Sequence, residues 1–173
     1  MAPGTPVSLS GVIVTAIDNF GAKTGDIWVE EPEGGAFSGI HVFGAPATAV
    51  AALAVGDTVD ISGTVKDEFA LTSDTSGRTV TELKAATGGM ITVTKTGTGT
   101  VPAPQMVDAL MIGQMADPAR SMEWEKWEGV LITLTNVSAT NSPACVGSAC
   151  SDPTLENFGI TGDAVVESSL SAF

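Results

Sequence analysis

The chain reads as a mainly β protein, a five-stranded barrel with one short helix followed by the start of a second, similar unit. Three observations predict it. Thr, Val and Ile alternate with polar residues over repeated stretches of about four to eight residues, the period-two pattern of half-buried strands. The 20 glycines supply the bends and bulges that small barrels need. An echo of the opening strand also returns late in the chain: Ser-Gly-Val-Ile-Val-Thr-Ala-Ile-Asp at 10–18 matches Glu-Gly-Val-Leu-Ile-Thr-Leu-Thr-Asn at 128–136.

Residues 7–17 form a long first strand in which Gly11 provides a bulge, letting one strand serve two sides of a barrel. A loop over 18–25 leads to the second strand at 26–30, with Ile27 and Val29 on one face and Trp28 and Glu30 on the other. Pro and Gly make 31–38 a turn, and 39–43 is the third strand. A helix is predicted over 45–55, with Pro46 suited to the first helical position, Val50 and Leu53 on an alanine-rich body, and Gly56 past the end. Over 57–66 the alternation is cleanest: Val59, Ile61, Gly63 and Val65 face one way, Thr58, Asp60, Ser62, Thr64 and Lys66 the other. Two weak strand pieces at 69–72 and 79–83 flank a Ser-Asp-Thr-Ser-Gly turn, and 90–95 reads as the fifth strand.

Three strands, a helix and two strands is the order of the OB-type Greek-key barrel, with a plain two-sheet sandwich as the alternative. The units divide as a barrel over 7–96, a linker with short helical segments over 97–127 and a partial second OB-like unit over 128–173. The linker opens with Thr-Gly repeats and two prolines; its helices are expected at 106–115 and from Asp117-Pro118 to about residue 127. The second unit has a first strand at 129–140 and a second at 158–168, too few strands to close. Three explanations stand: a fragment of a longer protein, an extension packed on the first barrel, or an edge completed by another chain through self-association.

Twenty acidic against seven basic residues give a net charge of −13, which disfavours a general electrostatic grip on nucleic acid. Any phosphate contact must come from the first barrel, because no Lys or Arg follows Lys126. No apolar run reaches the roughly 18 residues of a membrane span. The N-terminus lacks a signal peptide, so either the chain stays inside the cell or a leader has been removed. Cys145 and Cys150 sit in a Pro/Gly/Ser-rich stretch whose spacing suits a small disulfide loop, with two reduced thiols as the alternative. Pairing fits an oxidising location, so an extracytoplasmic protein, secreted or at the cell surface, is expected.

Catalysis finds little support. His41 is the only histidine, so a Ser or Cys nucleophile has one candidate base, and the Thr-Gly run lacks the lysine of a phosphate loop. Two thiols and one histidine fall short of a zinc set. Acids at Glu30, Glu31, Glu33, Asp57 and Asp60 raise calcium as an alternative to an ordinary solvated face, without any EF-hand spacing. No enzyme and no cofactor is expected. An OB barrel binds oligonucleotides or oligosaccharides across strands two and three and the adjoining loops, where this chain holds Phe20, Lys23, Trp28, His41, Phe69, Arg78 and Lys84. Trp28 is the leading stacking residue if its register points outward; the opposite register places it in the core. Trp124 and Trp127, three apart, either plug a barrel end or hold a ligand.

Four motifs carry a family resemblance: Gly-Asp-Ile-Trp-Val-Glu-Glu at 25–31, Val-Gly-Asp-Thr-Val-Asp-Ile-Ser-Gly at 55–63, Thr-Gly-Thr-Gly-Thr-Val-Pro-Ala-Pro at 96–104 and Trp-Glu-Gly-Val-Leu-Ile-Thr-Leu-Thr-Asn-Val at 127–137. Over most of 7–137 the chain resembles the OB-fold modules that accompany secreted bacterial nucleases and occur in large bacterial cell-surface proteins. The resemblance implies a non-catalytic accessory that helps bind single-stranded nucleic acid or another polymer such as a polysaccharide, hydrolysis belonging to a separate phosphoesterase domain. Members of that family continue through a complete second barrel, which favours the fragment explanation here.

Overall fold

A computed structural model describes residues 1–18, 25–70, 79–140, 158–162 and 164–166 of the chain. Its first half holds β1 (Pro6–Ile17), β2 (Ile27–Glu30), β3 (Gly39–Val42), α1 (Ala47–Val50), β4 (Asp57–Phe69), β5 (Val80–Ala85) and β6 (Thr92–Thr98). Neighbours run β1–β2–β3–β5–β4, and β4 returns to β1, closing the cylinder. The β3–β5 pair is parallel and the other barrel pairs are antiparallel. This is the OB-type barrel that the element order predicts.

Two sequence expectations are corrected. The fifth barrel strand is β5, not the 90–95 stretch, which lies in β6 outside the closed ring. β5 pairs with the second half of β4 and β6 with the first, so the two lie end to end along one edge of that long strand. β5 is hard to read because its sequence, VTELKA, puts only Leu83 into the barrel core while buried Glu82 breaks the apolar alternation. The helix shrinks to the single turn α1, continued by i→i+3 bonds from Ala52 N to Ala49 O and Leu53 N to Val50 O. An alanine-rich segment offers little side chain to bury, and packing is what stabilises a short helix; Val50 alone in the turn is buried.

The clean alternation of β4 also breaks. Leu9 faces Ile61 and Val7 faces Thr64, so β4 carries an extra residue there, with Gly63 at a φ of +76°. Past it the parity flips: Thr64 is buried and Val65 only half-buried, the reverse of the simple pattern. β1 carries its own extra residue at Ser10–Gly11, between the pairs Leu9–Ile61 and Val12–Val59. The Asp60 carboxylate holds it, accepting from Gly11 N at 2.8 Å and Ser10 Oγ at 2.9 Å. Inside the ring Val12, Val14, Ile27, Val29, Val42, Val59, Ile61 and Leu83 form the core, with Val50 of α1 packed among them.

Beyond β6 the chain lies against the barrel: Gly99 N donates to Gly56 O at 2.8 Å, and Pro102 is buried beside Gly34. There follow β7 (Gln105–Asp108), α2 (Ala109–Gly113), α3 (Ala119–Glu125), β8 (Ile132–Thr135), β9 (Phe158–Ile160) and β10 (Ala164–Val166). The expected first helix is thus half strand, half helix, with Asp108 capping α2 through Met111 N at 3.0 Å. Asp117 does not cap α3 but holds Arg120 at 2.6 Å and Ser121 Oγ at 2.9 Å. β7 and β8 pair in parallel, and β9 and β10 form an antiparallel pair.

The second region docks on the barrel at the turn joining β2 and β3. Glu30, 1% exposed, reaches across to accept from Leu131 N. In return Glu128 accepts from Thr81 N of β5 at 3.0 Å, and Phe37 N donates to Lys126 O at 2.7 Å. Between these bonds the backbones touch at a glycine pair: a Cβ on Gly39 would lie 2.2 Å from Gly129 O. Burial raises the carboxyl pKa of both Glu30 and Glu128, opposed in part by the bonds from Leu131 N and Thr81 N.

Candidate functional site

The strand register places one row of side chains across the outside of the barrel: Trp28 of β2 beside His41 of β3, His41 beside Glu82 of β5, and Glu82 beside Asp67 of β4. Trp28 faces outward because its neighbours Ile27 and Val29 are fully buried in the core. The Trp28 and His41 rings stack with centroids 4.6 Å apart and planes 14° from parallel. Phe43 meets His41 edge-on at 6.2 Å and is 51% exposed.

Carboxylates flank the imidazole on both sides. Its Nδ1 lies 3.3 Å from Glu82 Oε2 and its Nε2 3.6 Å from Asp26 Oδ2. Asp26 Oδ1 in turn accepts from Gly44 N at 2.8 Å, fixing the chain just past Phe43. Burial raises the Glu82 carboxyl pKa; His41 offsets part of that rise, while Asp67 and Asp26 add to it. Asp67 holds Lys84 at 2.6 Å. The arrangement is a fixed aromatic step bordered by oxygen acceptors.

Of the residues nominated from sequence, Trp28, His41 and Lys84 come together on this face, Lys84 through its pairing with Asp67. Phe69, about half exposed, lies on the same side of β4 two residues beyond Asp67, opposite Val80. Phe20, Lys23 and Arg78 lie outside the described residues, as do Cys145 and Cys150. Sequence reasoning missed Phe43, Asp26, Asp67 and Glu82. The period-two rule from His41 points to Phe43, whereas Glu82 and Asp67 emerge only from the β3–β5–β4 register.

The acids considered for calcium do not converge. Asp60 holds the β1 bulge, Asp57 binds Lys95 at 2.7 Å and accepts from Ala54 N at 2.9 Å, Glu30 serves the docked segment, and Glu31 and Glu33 are exposed. Among the described residues no group of three or more His, Cys, Asp or Glu is placed to hold a metal ion. Trp124 Nε1 donates to Gly162 O at 2.8 Å inside the second region. No helix among the described residues is long and apolar enough to cross a membrane. No family model, curated protein or solved structure matches the chain.

Proposed function

We propose that the chain is a non-catalytic, extracytoplasmic OB-type binding module that holds a polymer, an oligonucleotide or a polysaccharide, as an accessory to a secreted nuclease or a surface protein. The observation that carries this reading is the stacked Trp28–His41 pair with Phe43 beside it, on the outer face of the second and third barrel strands, where OB barrels hold extended ligands. Aromatic surface held rigid at a strand face binds at small entropic cost, because little side-chain freedom remains to be lost. Titration with single-stranded DNA and with soluble polysaccharides, followed by tryptophan fluorescence, tests the proposal. A saturable change that disappears in Trp28→Ala supports it; no change with any polymer refutes it. The extracytoplasmic placement rests on a Cys145–Cys150 disulfide, and full alkylation of both thiols in the unreduced protein refutes that part.

The parallel β7–β8 pair favours a second reading, an assembly subunit whose partial β unit pairs with another chain, since parallel sheets ordinarily occur as larger, covered sheets. Concentration-dependent oligomers in sedimentation support this reading, and a monomer at every concentration refutes it.

A further inference from the structure

The described cations leave little for a phosphate to bind. Lys66 is paired with Glu68, Lys84 with Asp67, Lys95 with Asp57, Arg120 with Asp117 and Lys126 with Glu123. That accounts for every Lys and Arg among the described residues, in a chain of net charge −13. On the aromatic face itself the one cation among the described residues, Lys84, is held at 2.6 Å by Asp67, and the groups flanking the rings are the carboxylates of Asp26 and Glu82. An anionic polymer laid across this face meets like charge, and each Lys or Arg that the described residues offer it is already in an ion pair. A cationic polymer finds the Asp67 charge already matched by Lys84.

We propose that the ligand of this face is an uncharged, hydroxyl-rich polysaccharide, whose C–H faces pack on Trp28, His41 and Phe43 and whose hydroxyls donate to the partly exposed Asp26 and Asp67 carboxylates at its edges, with buried Glu82 holding His41 from beneath. This rests on the reading of the chain as a polymer-binding module and specifies its ligand. Each carboxylate offers about four lone-pair sites, so one that already binds a histidine, lysine or amide still accepts from a hydroxyl. Sugar rings combine apolar faces with donor hydroxyls, the pairing that a ring edged by acceptors fits. A neutral chain also carries no charge for the acidic surface to repel.

The test is affinity electrophoresis of the full chain in gels containing hydroxyethyl cellulose or dextran, at low and high NaCl, beside anisotropy titration of labelled oligothymidylate and oligolysine. Retardation by a neutral polymer that does not respond to salt, and that weakens about threefold to tenfold in Phe43→Ala and Trp28→Ala, is the expected result. Phe43 is half exposed, so its variant tests the face without disturbing the core, and circular dichroism checks that Trp28→Ala is folded. Salt-sensitive binding of oligothymidylate or oligolysine, with no retardation by either neutral polymer, overturns the polysaccharide assignment and leaves the polymer-binding module standing. Retardation unchanged in both variants overturns the assignment to this face. Binding to none of the four probes overturns the module itself.

Discussion

Glu30 and Glu128 exchange bonds between the barrel and the second region, and replacing Glu30 measures how firmly the two are joined. Glu30 is almost wholly buried and accepts from Leu131 N, with Ser38 Oγ at the edge of hydrogen-bond range at 3.5 Å. Glu30→Ala leaves the Leu131 amide without its acceptor, an omission that costs about 1–3 kcal/mol. In a domain of this size each kcal/mol moves the midpoint by about 2–4 °C, so thermal unfolding followed by circular dichroism is expected about 2–12 °C lower. Glu30→Gln keeps an acceptor oxygen and discards the charge that burial penalises, so it stays within about 1 kcal/mol of wild type at neutral pH. Limited proteolysis locates the loss: Glu30→Ala exposes cleavage sites beyond residue 126 before the barrel is attacked, whereas Glu30→Gln does not. An alanine variant that melts and digests like the wild type refutes the argument that this carboxylate holds the docked segment.

Three further predictions follow from the same contacts. Glu30, Glu82 and Glu128 have pKa values raised by burial above the ordinary 4.5, so the folded state retains their protons to higher pH than the unfolded chain does. Their contribution is complete below 4.5 and is lost as pH rises through the raised values; melting is therefore expected higher near pH 5 than at pH 7.5, with a smaller difference in the Glu30→Gln/Glu128→Gln double variant. Asp57, Asp108 and Glu68 have lowered values, through Lys95, Met111 N and Lys66 respectively, and their contribution declines only as pH falls below the ordinary 3.8 and 4.5 towards those values. Gly39→Ala drives a methyl group to 2.2 Å from Gly129 O, and the overpacking is expected to lower stability by about 1–3 kcal/mol and to release the second region in proteolysis. Asp60→Ala frees the Ser10–Gly11 bulge and is expected to destabilise by about 1–3 kcal/mol in urea unfolding; equal midpoints for variant and wild type count against the clamp.

The barrel was legible where local pattern and tertiary demand agree. The facing of Ile27 and Val29 against Trp28, the bulge at Gly11 and the short third strand all follow from period two and glycine placement. Reading failed where partners far apart in the chain decide. The flip at Gly63 lies in the pairing with β1, and the position is closed to a side chain by Met90, whose carbonyl oxygen would lie 2.2 Å from a Cβ there; neither partner is near residue 63 in the chain. The face was half legible for the same reason. Trp28 and His41 are nominated by residue type, but Glu82 and Asp67 belong to a row that exists only once β3 lies parallel to β5 and β5 lies against β4. A buried glutamate amid weak alternation looked like a poor strand, when it is the carboxylate under an imidazole.

The repeated Gly-Val motif shows how far a local signal reaches. Gly11 and Gly129 adopt nearly the same left-handed φ, 67° and 70°, so the echo in sequence is an echo in backbone conformation. Their surroundings differ. A Cβ at Gly11 meets nothing within 4 Å, whereas one at Gly129 lies 2.6 Å from Ile40 N and 2.7 Å from Ile40 Cα. Gly11→Ala therefore incurs only the backbone term of a left-handed residue, about 1–2 kcal/mol. Gly129→Ala adds a backbone clash to that term and is expected to cost at least about 1 kcal/mol more. Urea midpoints of the two variants, measured side by side, decide the matter. Equal losses mean that conformation alone requires glycine at both places; a larger loss at Gly129, with early proteolysis of the second region, means that the second copy of the motif serves as a docking contact against β3.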